Sequence, residues 1–409
     1  MKSIIRCMYN MQANNVPVLL LTGYLGSGKT TLLNRILANT EGIRFAVIVN
    51  DIGEINIDAD LIQKGGVVNQ NDSNLLALTN GCICCTLKMD LVEQLHDLCV
   101  ARKFDYIVIE ASGICEPAPI AQTICSYTKM VPFTEDPIPV LDNIVTVVDA
   151  LRLRDEFGDL EDKVKKEFSN EEDLASLVIQ QIEFCNLILL NKASEVSTDE
   201  IEHIRAIIRA IQPHAEIINC DYCDVPFDKI LHTNLFSFDA VAGSAAWIEG
   251  VEGDVDDDDD DDDDDEHEHE HEHHHHDHEH HHDEGEALEY GIETFVYYRR
   301  RPFNLGLFDE FVARHWPKSV IRCKGMCYFS DEYDMCYLLE QAGKQIGVKQ
   351  CGQFYATMPK DELNAALAHD PILRRDWDEQ YGDRMQKLVF IGQKMDKDAI
   401  IKALDNCLD

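Results

Sequence analysis

The chain has no apolar run that approaches the roughly 20 residues a membrane-spanning helix needs, so a helical membrane protein is not expected. No sustained apolar stretch follows the basic residues of 1–16 either, and a secretory signal peptide is not expected. Basic residues are scarce: 36 Lys and Arg stand against 76 Asp and Glu, a formal net charge of -40. That balance argues against a nucleic-acid partner, which would be held through its phosphates. Between Glu252 and Glu284 there is no Lys or Arg at all, against 20 acidic residues. From Asp256 to Gly285 there is no apolar residue, so this stretch cannot build a core and is expected to be disordered without a ligand. Cysteine, by contrast, is plentiful, with 15 among 409 residues. Disulfide scaffolds of secreted proteins are small, whereas this is a long α/β-patterned chain, so reduced thiols in a cytoplasmic protein are expected, a subset of them used for metal.

The length allows two or three domains with full cores. From 17 to 238, short apolar runs alternate with helical patterns, as in βαβ folds. Strands are expected at Val18–Leu21, Phe45–Val49, Tyr106–Ile109, Ile144–Val148, Leu187–Leu190 and Glu216–Ile218. Helices are expected at Lys29–Ala38, Leu87–Val100, Leu174–Phe184 and Thr198–Ile211. Residues 1–16 read as an extension and 239–287 as a low-complexity linker. The remainder, 288–409, reads as a smaller α+β domain that opens with a strand at Glu293–Tyr298 and closes with a helix near Asp398–Leu408.

Two motifs carry chemistry. The first is Gly23-Tyr24-Leu25-Gly26-Ser27-Gly28-Lys29-Thr30, between an apolar strand and a helix that runs on through Thr31. Its backbone N–H groups suit the β-phosphate of a nucleotide, Lys29 suits the β- and γ-phosphates, and the Thr30 hydroxyl suits magnesium. Glu110, at the end of another apolar strand, is a candidate second magnesium residue or orienter of the attacking water. Gly113 is placed to offer its N–H to the γ-phosphate. Asn191-Lys192-Ala193-Ser194 is close to the Asn-Lys-x-Asp element by which G proteins read guanine, but Ser194 replaces the aspartate, and Glu195 stands one position late. GTP is favoured over ATP on this reading.

The second motif is Gly81-Cys82-Ile83-Cys84-Cys85. Three thiolates within four positions can converge on one soft transition metal and leave the fourth tetrahedral position open, which suits transfer better than a closed structural site. The linker adds ten consecutive aspartates, Asp256 to Asp265, and eleven of the chain's 17 histidines: His267, His269, His271, His273, His274, His275, His276, His278, His280, His281 and His282. Imidazoles suit zinc, nickel, copper and cobalt, and the carboxylates raise the local cation concentration, so the tract is expected to collect metal. Cys220-Asp221-Tyr222-Cys223 has metal or redox spacing, with a structural role favoured. Cys323 and Cys327 are expected on one face of a strand, and Cys99, Cys115, Cys125 and Cys185 in the core.

Taken together, the chain resembles the CobW-like zinc-chaperone family of metal-handling P-loop GTPases. The matching segments are 23–30, Val49-Asn50-Asp51-Ile52-Gly53-Glu54, 81–85, Glu110-Ala111-Ser112-Gly113, Asn191-Lys192, and in the C-terminal part Arg300-Arg301-Pro302-Phe303, 320–325 and 388–392. The resemblance implies a P-loop GTPase domain followed by a CobW-like C-terminal α+β domain. It implies slow GTP hydrolysis with magnesium, zinc binding at Cys82, Cys84 and Cys85, and delivery to a client metalloprotein. Asp51 stands where the family usually has glutamate. Asp51 or Glu54 is expected to reach either the nucleotide's magnesium or the thiolate-held metal, so that GTP changes metal coordination. A cobalt or nickel insertase of the same class, a metal buffer with a vestigial nucleotide site, and a homo-oligomeric state stay open.

Overall fold

Strands that are apolar at nearly every position need cover on both faces, which parallel sheets flanked by helices supply. Phe45–Val49, Tyr106–Glu110 and Leu187–Asn191 are buried along their whole length. The computed structural model of the chain describes residues 15–38, 42–49, 75–79, 88–127, 136–157, 174–238, 241, 291–343 and 345–409. They divide between two compact units.

The N-terminal unit runs β1 (Asn15–Thr22), α1 (Lys29–Leu37), β2 (Phe45–Val49), β3 (Leu75–Thr79), α2 (Lys88–Ala101), β4 (Tyr106–Glu110), α3 (Pro117–Cys125), β5 (Ile138–Asp149), α4 (Ala150–Phe157), α5 (Leu174–Glu183), β6 (Leu187–Asn191), α6 (Thr198–Ile211) and β7 (Glu216–Asn219). The seven strands lie in the order β3-β2-β4-β1-β5-β6-β7, every pair parallel. All six expected strands and four expected helices of this part are present, while β3, α3 and α4 were not anticipated. The α3 sequence PAPIAQTIC carries two prolines, which disfavour a helix anywhere but its first turn. Both prolines fall in the first turn, where the backbone N–H groups have no helical acceptor, so the helix loses nothing by them. No helix among the described residues is long and apolar enough to cross a membrane.

The C-terminal unit contains β8 (Ile292–Arg299), α7 (Leu305–Arg314), β9 (Val320–Cys327), β10 (Met335–Ala342), β11 (Gln345–Gln353), α8 (Lys360–His369), α9 (Pro371–Arg375), β12 (Gln386–Gln393) and α10 (Lys397–Asp405). Its five strands lie in the order β11-β10-β9-β12-β8, with β12 antiparallel to both of its neighbours and buried at all eight positions. Phe390 faces Phe295 across the register, with the rings stacked 5.0 Å apart. Cys323 and Cys327 share the core side of β9, as their spacing requires. Asp405 of α10 takes both Arg299 Nε (2.9 Å) and Nη2 (3.0 Å), so the last helix is pinned to the edge strand β8.

Local sequence sets the helix ends. Ser197 Oγ accepts from Glu200 N at 3.3 Å while Ser197 N donates to Glu200 Oε2 at 2.7 Å, a reciprocal capping box at the start of α6. Behind the cap, Ile201, Ile204, Ile207, Ile208 and Ile211 form the buried stripe. Ser197→Ala is expected to destabilise the N-terminal unit by about 1 kcal/mol. A lowered urea midpoint followed by circular dichroism checks this; an unchanged midpoint would show that α6 is held by its buried face alone.

Candidate functional site

The loops that follow β4, β1, β5, β6 and β7 emerge at one edge of the parallel sheet, which is where such sheets bind nucleotides. Residues 23–28 connect β1 to the N-terminus of α1, which points its unpaired N–H groups at this edge. Lys29 is 6% exposed, and its Nζ donates to Tyr24 O at 3.3 Å, so the ammonium is curled over its own loop. Ser27 is buried, and its hydroxyl oxygen has no hydrogen-bond partner among the described residues. A buried, unsatisfied hydroxyl inside this loop is what a phosphate oxygen would satisfy.

Thr30 and Glu110 lie 80 residues apart in the chain, yet Thr30 Oγ1 donates to Glu110 Oε1 at 2.9 Å. A hydroxyl at the start of α1 and a buried carboxylate at the end of β4 are the hard oxygen donors that magnesium takes, so Thr30 and Glu110 fit that ion. When bound there, magnesium would neutralise charge on the β- and γ-phosphates. Gly113 comes so close to the phosphate loop that a Cβ would fall 2.7 Å from Leu25 N. Its position is fixed from behind by Gln181 of α5, whose Nε2 donates to Gly113 O and Cys115 O, both at 3.2 Å.

Asn191, at the end of β6, is 3% exposed and uses both ends of its amide: Nδ2 donates to Ser27 O at 2.8 Å and Oδ1 accepts from Cys223 N at 3.0 Å. Lys192 adopts a left-handed conformation (φ 59°) and pairs with Asp149 at the end of β5. Ser194, in the position of the expected aspartate, donates from its N (3.0 Å) and Oγ (2.9 Å) to Asp221 Oδ1. Glu195 is exposed, and it is Asp221 that sits against Ser194.

The structure therefore gathers Gly23, Gly26, Ser27, Gly28, Lys29, Thr30, Glu110, Gly113, Asn191 and Lys192 on one edge. Thr31 is exposed in the first turn of α1. Cys82, Cys84, Cys85, Asp51, Glu54 and the eleven histidines from His267 to His282 lie outside the described residues. Among the described residues no group of three or more His, Cys, Asp or Glu is arranged to hold a metal ion.

A model of the CobW/HypB/UreG nucleotide-binding domain matches residues 17–219, and one of the cobalamin synthesis protein cobW C-terminal domain matches residues 292–408. The zinc-regulated GTPase metalloprotein activator 1 of Dictyostelium discoideum is 32% identical over 413 residues, covering 96% of this chain and 80% of that protein. The chain belongs to the CobW family of P-loop GTPases. The zinc chaperone CobW of Pseudomonas aeruginosa is 32% identical over 226 residues, which are 54% of this chain and 60% of that protein. Zn(II)-bound YjiA GTPase from Escherichia coli aligns over 97% of this chain and 100% of its own, at 18% identity and a TM-score of 0.40.

Around this CobW nucleotide edge, Asp149, Asp221 and Gln181 carry structural roles that the motifs did not assign. Asp149 and Asp221 were recognisable as polar residues just beyond apolar strands. Gln181 gave no signal, being one polar residue inside a helix. Cys220 and Cys223 turn out to be part of the core beneath the phosphate loop, with the Cys223 sulfur donating to Gly28 O at 3.5 Å. The hydrogen bond between the two thiols draws the Cys220 pKa down and pushes that of Cys223 up. The core expectation holds for Cys99 and Cys185, whose thiols burial pushes up to about 12. It holds for the position of Cys115 too, which is buried and disulfide-bonded whereas the ten other described cysteines are free, and it is corrected for Cys125, which is exposed because it falls at the end of α3.

Gly113→Ala is expected to push the phosphate loop aside and raise the GDP dissociation constant about tenfold, since its new methyl group would meet backbone rather than a movable side chain. Titration with a fluorescent GDP analogue measures this; unchanged affinity would mean that the 113–115 turn yields without disturbing the phosphates.

Proposed function

We propose that this protein is a GTP-hydrolysing metallochaperone that binds zinc at Cys82, Cys84 and Cys85 and delivers it to a client metalloprotein under nucleotide control. The observation that carries the reading is the register of four adjacent strands. Thr79 of β3 lies beside Val49 of β2, Val49 beside Glu110 of β4, and Glu110 beside Leu21 of β1. The cysteine run begins three residues after Thr79, Asp51 two residues after Val49, and the phosphate loop two residues after Leu21. Adjacent strands lie about 4.8 Å apart, so the ends of β3 and β1 are separated by three spacings, about 14 Å. Three residues of extended chain reach about 10 Å, enough for the intervening Asp51 segment to answer to both sites.

Under this reading Lys29 and the loop N–H groups hold the phosphates, Thr30 and Glu110 fix magnesium, and Gly113 donates to the γ-phosphate. Asp51 or Glu54 then changes the metal's coordination when GTP orders their segment, and slow hydrolysis resets it. A tenfold difference in zinc affinity between nucleotide states needs about 1.4 kcal/mol of coupling, within the ordinary range of allosteric free energies. The likeness to a Pseudomonas aeruginosa protein named as a zinc chaperone supports zinc as the cargo.

Zinc affinity, read by competition with a chromogenic chelator without nucleotide, with Mg-GDP and with a slowly hydrolysed GTP analogue, tests the coupling. A shift between nucleotide states of about tenfold that disappears in Cys84→Ser is expected. Tight zinc binding indifferent to nucleotide would sink nucleotide control and leave a metal buffer. A companion measurement concerns the acidic and histidine-rich tract. Deleting 252–284 is expected to lower the number of zinc ions bound per chain while leaving GTP hydrolysis intact; unchanged stoichiometry would refute its role as a collector.

A further inference from the structure

The Asn-Lys-Ala-Ser element lacks a carboxylate at the position that reads guanine, yet a carboxylate is present at the same place in the fold. Asp221, in the turn that follows β7, accepts both Ser194 hydrogen bonds on Oδ1, at 3.0 Å from N and 2.9 Å from Oγ. Its Oδ2 makes no hydrogen bond among the described residues, and the side chain is half-buried. Glu195, the nearest carboxylate along the chain, is exposed and makes no side-chain hydrogen bond among the described residues.

The turn that bears Asp221 is laced to the Asn-Lys-Ala-Ser turn. Cys220 N donates to Leu190 O at 2.9 Å, Ala193 N donates to Cys220 O at 3.1 Å, and Cys223 N donates to Asn191 Oδ1 at 3.0 Å. Asn191 in turn holds Ser27 O of the phosphate loop. Asp221 is thereby set at a fixed distance from the loop that takes the phosphates, on the side of the sheet edge where the base would lie.

We propose that Asp221 is the base-reading carboxylate of this GTPase, with Ser194 as the hydroxyl that orients it. The inference rests on the nucleotide-binding reading of the site. An ionised carboxylate is acceptor-only. Guanine offers two donors side by side, the N1–H and the exocyclic 2-amine, which Oδ2, with neither of its two lone-pair sites engaged among the described residues, can accept together. Adenine offers the lone pair of N1 instead, which faces the carboxylate repulsively, so the same group rejects ATP. The turn after β7 thus supplies, beside Ser194, the carboxylate that the Asn-Lys-Ala-Ser turn lacks.

The test compares GDP, ADP and xanthosine diphosphate on the full chain. Xanthine carries an oxygen where guanine carries the 2-amine, so a carboxamide fits it and a carboxylate does not. The unaltered protein is expected to favour GDP over both competitors. In Asp221→Asn, GDP affinity is expected to fall about tenfold and xanthosine diphosphate affinity to rise about tenfold. The ratio of the two affinities is insensitive to the fraction of folded protein, so an unchanged ratio overturns the proposal. If Asp221→Asn binds no nucleotide, the double variant Ser194→Asp/Asp221→Ser decides: retained GDP preference supports the proposal and lost GDP binding overturns it. Equal binding of ADP and GDP by the unaltered protein would reject base reading while leaving nucleotide binding intact; no binding of either would instead remove the nucleotide reading itself.

Discussion

The side-chain amide of Asn191 donates to Ser27 O and accepts from Cys223 N while almost wholly buried. Both partners are backbone groups of irregular loops, with no neighbouring strand to pair with, so the amide stands in for a missing piece of sheet. Removing it would leave two buried polar groups without partners, and each such loss costs about 1–3 kcal/mol. The same amide explains why Gly28 must be glycine. Its φ is +118°, and a Cβ there would fall 2.5 Å from Asn191 Nδ2 and 3.1 Å from the Cys223 sulfur. Phosphate loop, Asn-Lys turn and the Cys220–Cys223 turn are thus one packed unit rather than three independent loops.

That unit gives the site its rigidity before any ligand arrives. A pre-shaped loop spends little of its binding energy on ordering itself. The other half of the edge, the ends of β2 and β3, is organised differently. There Val49 and Thr79, the last residues of β2 and β3, lie in register with Glu110 of β4, itself beside Leu21 of β1. Parallel pairing forces this, because strands running the same way must all end on the same side.

The C-terminal unit is built on other principles. Its strand β12, between β9 and β8, is buried at every position although it carries Gln386, Lys387 and Gln393. Gln386 is satisfied by the carbonyls of Arg301 and Tyr328, at 3.1 and 2.9 Å. Aromatic stacking among Phe295, Phe303, Phe308, Phe390, Tyr297 and Trp316 fills the remainder. Polar satisfaction of this kind cannot be read from residue order, since the partners come from segments far apart in the chain.

The sequence by itself determined the two-unit α/β and α+β organisation, the phosphate loop, and the strand ends that carry Glu110 and Asn191. Those features are local: an apolar run, a glycine-rich turn and a following helical period all lie within a few residues of one another. It misjudged what local pattern cannot weigh. α3 carries two prolines that only their place in the first turn makes harmless, and LLALT of β3 is too short to separate strand from helix by periodicity. Only the tertiary structure decided that Thr30 meets Glu110, that Gln181 holds the Gly113 turn, and that Ser194 has a carboxylate beside it after all. The Asp221–Ser194 contact spans 27 residues and crosses between two strand ends. Spacing along a chain fixes neighbours within a turn, but the packing of parallel strands fixes which turns become neighbours.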